Sequence, residues 1–170
     1  MSFYAVFDRI VPAQNKYMAT LFNGATGRKV VVNRIYRFNW QIIGVTGALL
    51  EQEIREVTAR TAGTTVSIHP EDISDTLTAG IVADHASTSV TEGGRGLFQR
   101  IMAVNEEMAL GVVTMARDTA VQHDAQCVYW RRPGSKGWVI PTGRGLTIKN
   151  IPNSTIGSVS YRFEFDDEPA

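Results

Sequence analysis

Val30-Val31-Val32-Asn33-Arg34-Ile35-Tyr36-Arg37-Phe38-Asn39-Trp40-Gln41-Ile42 is the stretch on which the fold turns. Val30, Val32, Tyr36, Phe38, Trp40 and Ile42 fall on even positions, and only Arg34 interrupts them. Asn33, Arg37, Asn39 and Gln41 take most of the odd ones. Successive side chains of a strand point to opposite faces, so the alternation predicts a half-buried strand. Tyr36, Phe38 and Trp40 are expected on its buried face, with Arg37 and Asn39 on the solvated one. Upstream, Tyr17 to Phe22 reads as a partner strand. Asn23-Gly24-Ala25-Thr26-Gly27 between the two holds residues that tolerate positive φ, which predicts a hairpin.

The same grammar recurs toward the other end. Val159, Tyr161, Phe163 and Phe165 alternate with Ser158, Ser160, Arg162, Glu164 and Asp166, the pattern of a strand with one buried face. Trp138 to Ile140 and Leu146 to Ile148 flank a Gly143-Arg144-Gly145 turn, and Cys127 to Arg131 is another short strand. Ile81 to Val90 and Leu97 to Val104 read as strands separated by Gly93-Gly94. With Phe3 to Phe7, about ten short strands result, and with at most one short helix the chain is predicted to be a mainly β, antiparallel β-sandwich, a jelly roll being one form of it. The helix candidate is Asn105 to Ala120, which opens with Glu106 and Glu107 but carries Gly111 and a β-branched run. Leu50, Ile54 and Val57 also stand at helical spacing, with Glu51/Arg55 and Glu56/Arg60 as i,i+4 pairs.

The 170 residues form one expected domain, 1–170, long enough to bury a core without disulfides. Seventeen basic and seventeen acidic residues cancel, so no overall field draws the chain to nucleic acid or an anionic membrane, and neither is expected as a partner. Arginine supplies most of the positive charge, which suits bidentate pairs at an interface and equally a GC-rich genome. The single cysteine, Cys127, excludes an intrachain disulfide and reads as a buried structural residue. The N-terminus lacks the basic start and apolar run of a signal peptide, so synthesis and folding in a cytoplasm are expected.

Catalytic patterns are not found. There is no Gly-x-Ser-x-Gly elbow, and His69, His85 and His123 lack zinc spacing. Glu71, Asp72 and Asp75 concentrate oxygen ligands that calcium would accept, but turn chemistry explains them more simply. The glycine clusters are not followed by Lys-Ser/Thr, so no P-loop is present. Neither a cofactor nor a metal is expected. A hydrolase would need two converging carboxylates, and no pair stands out.

Two segments carry a resemblance. One runs from Arg34 to Gln41 and on through Glu53 to Asp72 and Leu77 to Ile81; the other joins Arg144 to Asn150 and Thr155 to Phe165. In this order they resemble small virion structural proteins of tailed bacteriophages, particularly capsid-associated accessory proteins. The resemblance implies a strand over Glu53 to Arg60 against the local helical spacing, and Thr58, Thr61, Gly63, Thr64 and Thr65 agree with strand and turn nearby. It further implies a non-enzymatic decoration or cement subunit on the outer shell, with the major capsid protein and further copies of itself, most simply a trimer, as partners. The virion is the expected location. Residues 1–15 are then expected to form an arm reaching a neighbour through Phe3 and Phe7. Arg131, Arg132 and Arg144 would meet the acidic tail, Asp166 and Asp167, head to tail around an axis. The alternative is a receptor- or carbohydrate-binding module of a tail or head fibre, stacking sugars on Tyr129, Trp130 or Trp138. An exposed tryptophan on a concave face would favour the second.

Overall fold

A computed structural model describes residues 1–40, 49–104, 126–151 and 158–170. Twelve strands run along them: β1 (Ser2–Ile10), β2 (Tyr17–Asn23), β3 (Arg28–Trp40), β4 (Leu49–Arg60), β5 (Thr64–Val66), β6 (Ile68–Pro70), β7 (Ile81–His85), β8 (Val90–Val104), β9 (Gln126–Trp130), β10 (Trp138–Ile140), β11 (Arg144–Asn150) and β12 (Ser158–Pro169). They pair antiparallel in two six-stranded sheets. Sheet A has the order β10-β3-β12-β1-β6, with β9 also on β3, and sheet B has β5-β7-β2-β11-β4-β8. One apolar core lies between them, built from Phe3, Phe7, Val32, Ile35, Phe163 and Phe165 of sheet A and Met18, Leu21, Ile54, Ile81, Leu146 and Ile148 of sheet B. The mainly β sandwich is as expected, and no helix occurs among the described residues. The helix candidate at 105–120 lies outside them.

The strand at Glu53 to Arg60 is present as β4. Its neighbours explain why helical spacing lost: β11 and β8 bond it on both edges, and pairing along twelve residues outweighs a weak local preference. β3 is present too, but its faces are not as the alternation predicts. Glu164 pairs with Arg34 and Phe165 with Val32, so Asn33 is an extra residue, a β-bulge. One inserted residue reverses the facing of everything beyond it. Val30, Val32 and Ile35 point inward, Arg37 is fully buried, and Tyr36 and Phe38 are half-buried on the outer face. Burial lowers the pKa of Arg37 and raises that of its register partner Tyr161. The side chains of Asn39 and Trp40 lie outside the described residues.

The predicted hairpin at Asn23 to Gly27 is instead an arch from sheet B to sheet A, since β2 and β3 belong to different sheets. Asn23 anchors it. Its Nδ2 donates to the carbonyls of Arg28 (2.9 Å) and Ile140 (3.1 Å), while its Oδ1 accepts from Ala25 N. The Gly143 turn is a second arch beside the first, held by Gly143 N donating to Asn23 O at 2.7 Å. Turn residues permit a reversal without specifying which sheet receives the chain. Gly93-Gly94 likewise separates no strands; both lie within β8, and the break falls earlier, at Ala86 with φ 56.

Residues 1–15 do not form an arm. β1 sits between β12 and β6, with Phe3 and Phe7 in the core, their rings 6.0 Å from Phe165 and 4.9 Å from Phe163. Nor is there an acidic tail, because Asp166 and Asp167 belong to β12, and Asp167 is buried against Arg28. Cys127 is exposed rather than buried. It lies on β9, which among the described residues pairs only with β3, and its neighbour Val128 takes the inward position.

Gly63 leads into β5 where the chain passes the turn after β7. A Cβ there would lie 2.1 Å from the His85 carbonyl oxygen and 2.7 Å from Ser87 N, both backbone. Gly63→Ala is expected to cost about 1–3 kcal/mol by overpacking, measured as a lower urea midpoint. The exposed neighbour Thr64→Ala should stay within about 0.5 kcal/mol of wild type.

Candidate binding cleft

Strand register lays one row of side chains across the outer face of sheet A. His69 of β6 is paired with Tyr4 of β1, Tyr4 with Glu164 of β12, Glu164 with Arg34 of β3, and Arg34 with Trp130 of β9. At a strand spacing of about 4.8 Å the row is roughly 19 Å long. The contacts along it are specific. The Tyr4 and His69 rings lie 5.5 Å apart, and the Arg162 guanidinium sits 4.6 Å above the Tyr4 ring. Arg162 Nε is 2.9 Å from Glu164 Oε1, and Arg34 Nη1 is 3.8 Å from Glu164 Oε2 and donates to the Tyr36 hydroxyl at 3.3 Å. The hydrogen bond with Tyr36 and the charge of that phenol, and then the charge of Glu164, raise the Arg34 pKa.

At the Trp130 end the row opens into a cleft of about 550 Å³, within the range of roughly 300–1,000 Å³ common for small-ligand sites. Its origin is a broken edge strand. β9 and β10 pair with successive segments of the same edge of β3, and residues 131–137 loop out between them, beside the Asn33 bulge. Asn33 joins loop to sheet. Its carbonyl accepts Arg131 N (2.8 Å), its Oδ1 accepts Arg131 Nη1 (3.2 Å), and its Nδ2 donates to Asp166 Oδ2 (2.8 Å). The other Asp166 oxygen accepts from the Ser2 hydroxyl at 2.6 Å. Arg131 Nε also donates to Ser135 O at 2.9 Å, which fixes the loop around the guanidinium. Gly134 and Gly137 take positive φ, 80° and 68°, as so tight an excursion requires. Tyr129 braces it from beneath by accepting Trp138 N at 2.8 Å, and burial raises its pKa.

The cleft walls include Arg34, Glu71, Trp130, Arg131, Arg132 and Glu164. Trp130 is 54% exposed. Tyr129 and Trp138 are partly buried against the core, as expected for aromatic residues in strands. The Arg132 guanidinium has no carboxylate partner among the described residues.

The structure thus brings together Arg131, Arg132 and Asp166, but in one network of one chain rather than at opposite ends. Asp167 is inside, with Arg28 and the Thr78 amide. Phe3 and Phe7 are core. Arg144 stands at the start of β11 in the other sheet, 4.0 Å from Glu56. Arg34, Glu71 and Glu164 join the site without a local signal; register across five strands assembles them. Asp72 caps a turn, accepting Ser74 N at 2.9 Å and Ser74 Oγ at 2.8 Å, and these bonds hold its carboxyl below the ordinary range. Among the described residues no group of three His, Cys, Asp or Glu side chains is placed to hold a metal ion.

No protein-family model, curated protein or solved structure matches this chain.

Proposed function

We propose that this chain is a non-enzymatic structural protein of a virion, a decoration subunit that docks on the outer shell of a tailed phage through the outer face of sheet A. The observation that supports it is the continuous row His69, Tyr4, Glu164, Arg34 and Trp130, on a face that also presents Val6 at 43% exposure. Exposed aromatic residues with arginine are the composition of protein docking surfaces. A rigid sheet presents them without an ordering cost. Binding only the assembled lattice would stabilise the shell by linkage. The major capsid protein is then the partner, and a trimer of this chain matches a three-fold lattice position. β1 takes part only through its outward side chains Tyr4 and Val6, since Phe3 and Phe7 are committed to the chain's own core.

The test is to titrate particles lacking this chain with the purified protein. Binding should saturate at a copy number that follows the capsomer lattice. The double variant Tyr4→Ala, Arg34→Ala should weaken it about tenfold or more, as loss of central aromatic and arginine anchors does. Saturation at a handful of copies on the tail would remove the decoration reading. Trp130, exposed at the edge of a concave cleft, favours a second reading, a receptor- or carbohydrate-binding module carried by the virion.

A further inference from the structure

We infer that the Trp130 cleft is a saccharide site selective for sugars that bear a carboxylate. This rests on the cleft being a ligand site, as in the second reading, and not on where the domain is mounted.

The wall chemistry decides between ligand classes. A sugar ring has an apolar C–H face and a rim of hydroxyls that both donate and accept. The half-exposed indole of Trp130 offers the flat apolar surface, while guanidinium groups donate and carboxylates accept around it. An acidic peptide brings a carboxylate at nearly every residue, more negative charge than three arginines beside Glu71 and Glu164 can balance. A purely apolar ligand would desolvate five charged groups and offer none of them a hydrogen bond.

Charge accounting then points to an acidic sugar. Three arginines and two glutamates line the cleft, Arg34, Arg131 and Arg132 against Glu71 and Glu164. Glu164 is already engaged by Arg34 and Arg162, and Arg131 is held by Asn33 and Ser135. Among the described residues nothing engages the Arg132 guanidinium, which leaves its donors for a ligand, and its planar fork matches one carboxylate bidentately. Glu71 accepts ring hydroxyls. One carboxylate per sugar balances the site, and a chain of adjacent anionic groups would overfill it.

Titrating the full chain with galacturonate, N-acetylneuraminyl-lactose, neutral lactose and an oligo-glutamate peptide, by calorimetry and tryptophan fluorescence, tests this. At least one acidic sugar should bind about tenfold or more tightly than lactose, as expected for one charge-assisted contact. Trp130→Ala should weaken that binding about tenfold, and Arg132→Gln should bring acidic and neutral sugars to near parity. Both residues are exposed, so the variants should keep the wild-type denaturation midpoint, which serves as the folding control. Lactose binding as well as the acidic sugars would overturn the selectivity and leave a saccharide site standing. Preference for oligo-glutamate, or binding unaffected by Trp130→Ala, would overturn the inference. No binding by any probe would overturn both it and the ligand-site reading.

Discussion

Phe7→Ala is expected to lose about 3–5 kcal/mol of stability, the cost of emptying a fully buried aromatic position. Phe7 has no exposed surface, and its ring lies 4.9 Å from that of Phe163 in the next strand. β1 is bonded on both edges, to β12 and to β6, so it cannot shift to fill the void without losing ladder bonds. The matched control is Val6→Ala, one residue away on the outer face, which should stay within about 0.5 kcal/mol. Urea unfolding at several protein concentrations measures both. If β1 were exchanged between subunits, the loss at Phe7 would vary with concentration; in the fold described here it does not.

Asp167→Ala should cost about 3 kcal/mol, the lower end of what breaking a buried ion pair does, because Arg28 keeps a path to water. The carboxylate accepts Arg28 Nε at 2.7 Å and the Thr78 amide at 3.1 Å, so alanine strands two donors at once. Asp167→Asn keeps an acceptor and should lose roughly half as much. The pH dependence has a definite sign. Burial pulls the Asp167 pKa up, but the bonds from Arg28 and Thr78 and the charge of Arg28 together outweigh it and hold the carboxyl below its ordinary value. Glu92 is depressed in the same way, burial being outweighed chiefly by Lys149. Between the folded pKa values and the ordinary carboxylate range of about 4, the unfolded chain binds more protons. Stability from these groups is therefore fully present above that range and is lost as pH falls through the folded values. Urea midpoints measured across the acid limb should decline less steeply for Asp167→Asn than for wild type. An identical decline would remove Asp167 from the acid response.

What could be read from the chain in advance was whatever is local. Val159 to Phe165 reads correctly because strand period and single-sided burial are properties of seven consecutive residues. The bulge at Asn33 does not, because an extra residue is defined only against a partner, and that partner is Glu164-Phe165 at the far end of the chain. Arg34, which broke the even-numbered apolar series, was the visible trace of it. The arches at Asn23 and Gly143 show the same limit, since glycine and asparagine allow the chain to reverse but the receiving sheet is chosen by long-range pairing. The cleft divides along that line. Trp130, Arg131 and Arg132 stand out beside a Pro133-Gly134 turn, whereas Ser2, Glu71 and Glu164 reach it only through register across sheet A.

The break between β9 and β10 makes this face modular. Both flanking segments are aligned on β3, and the seven residues between them belong to neither. A change in their length or sequence therefore leaves the hydrogen-bonded frame on either side in register. Rewriting this one short cassette would change what the cleft presents while Arg34 and Glu164 stay fixed on their strands. Asn33, which clasps that cassette at its first residue, is the constant fitting to which each replacement would have to attach.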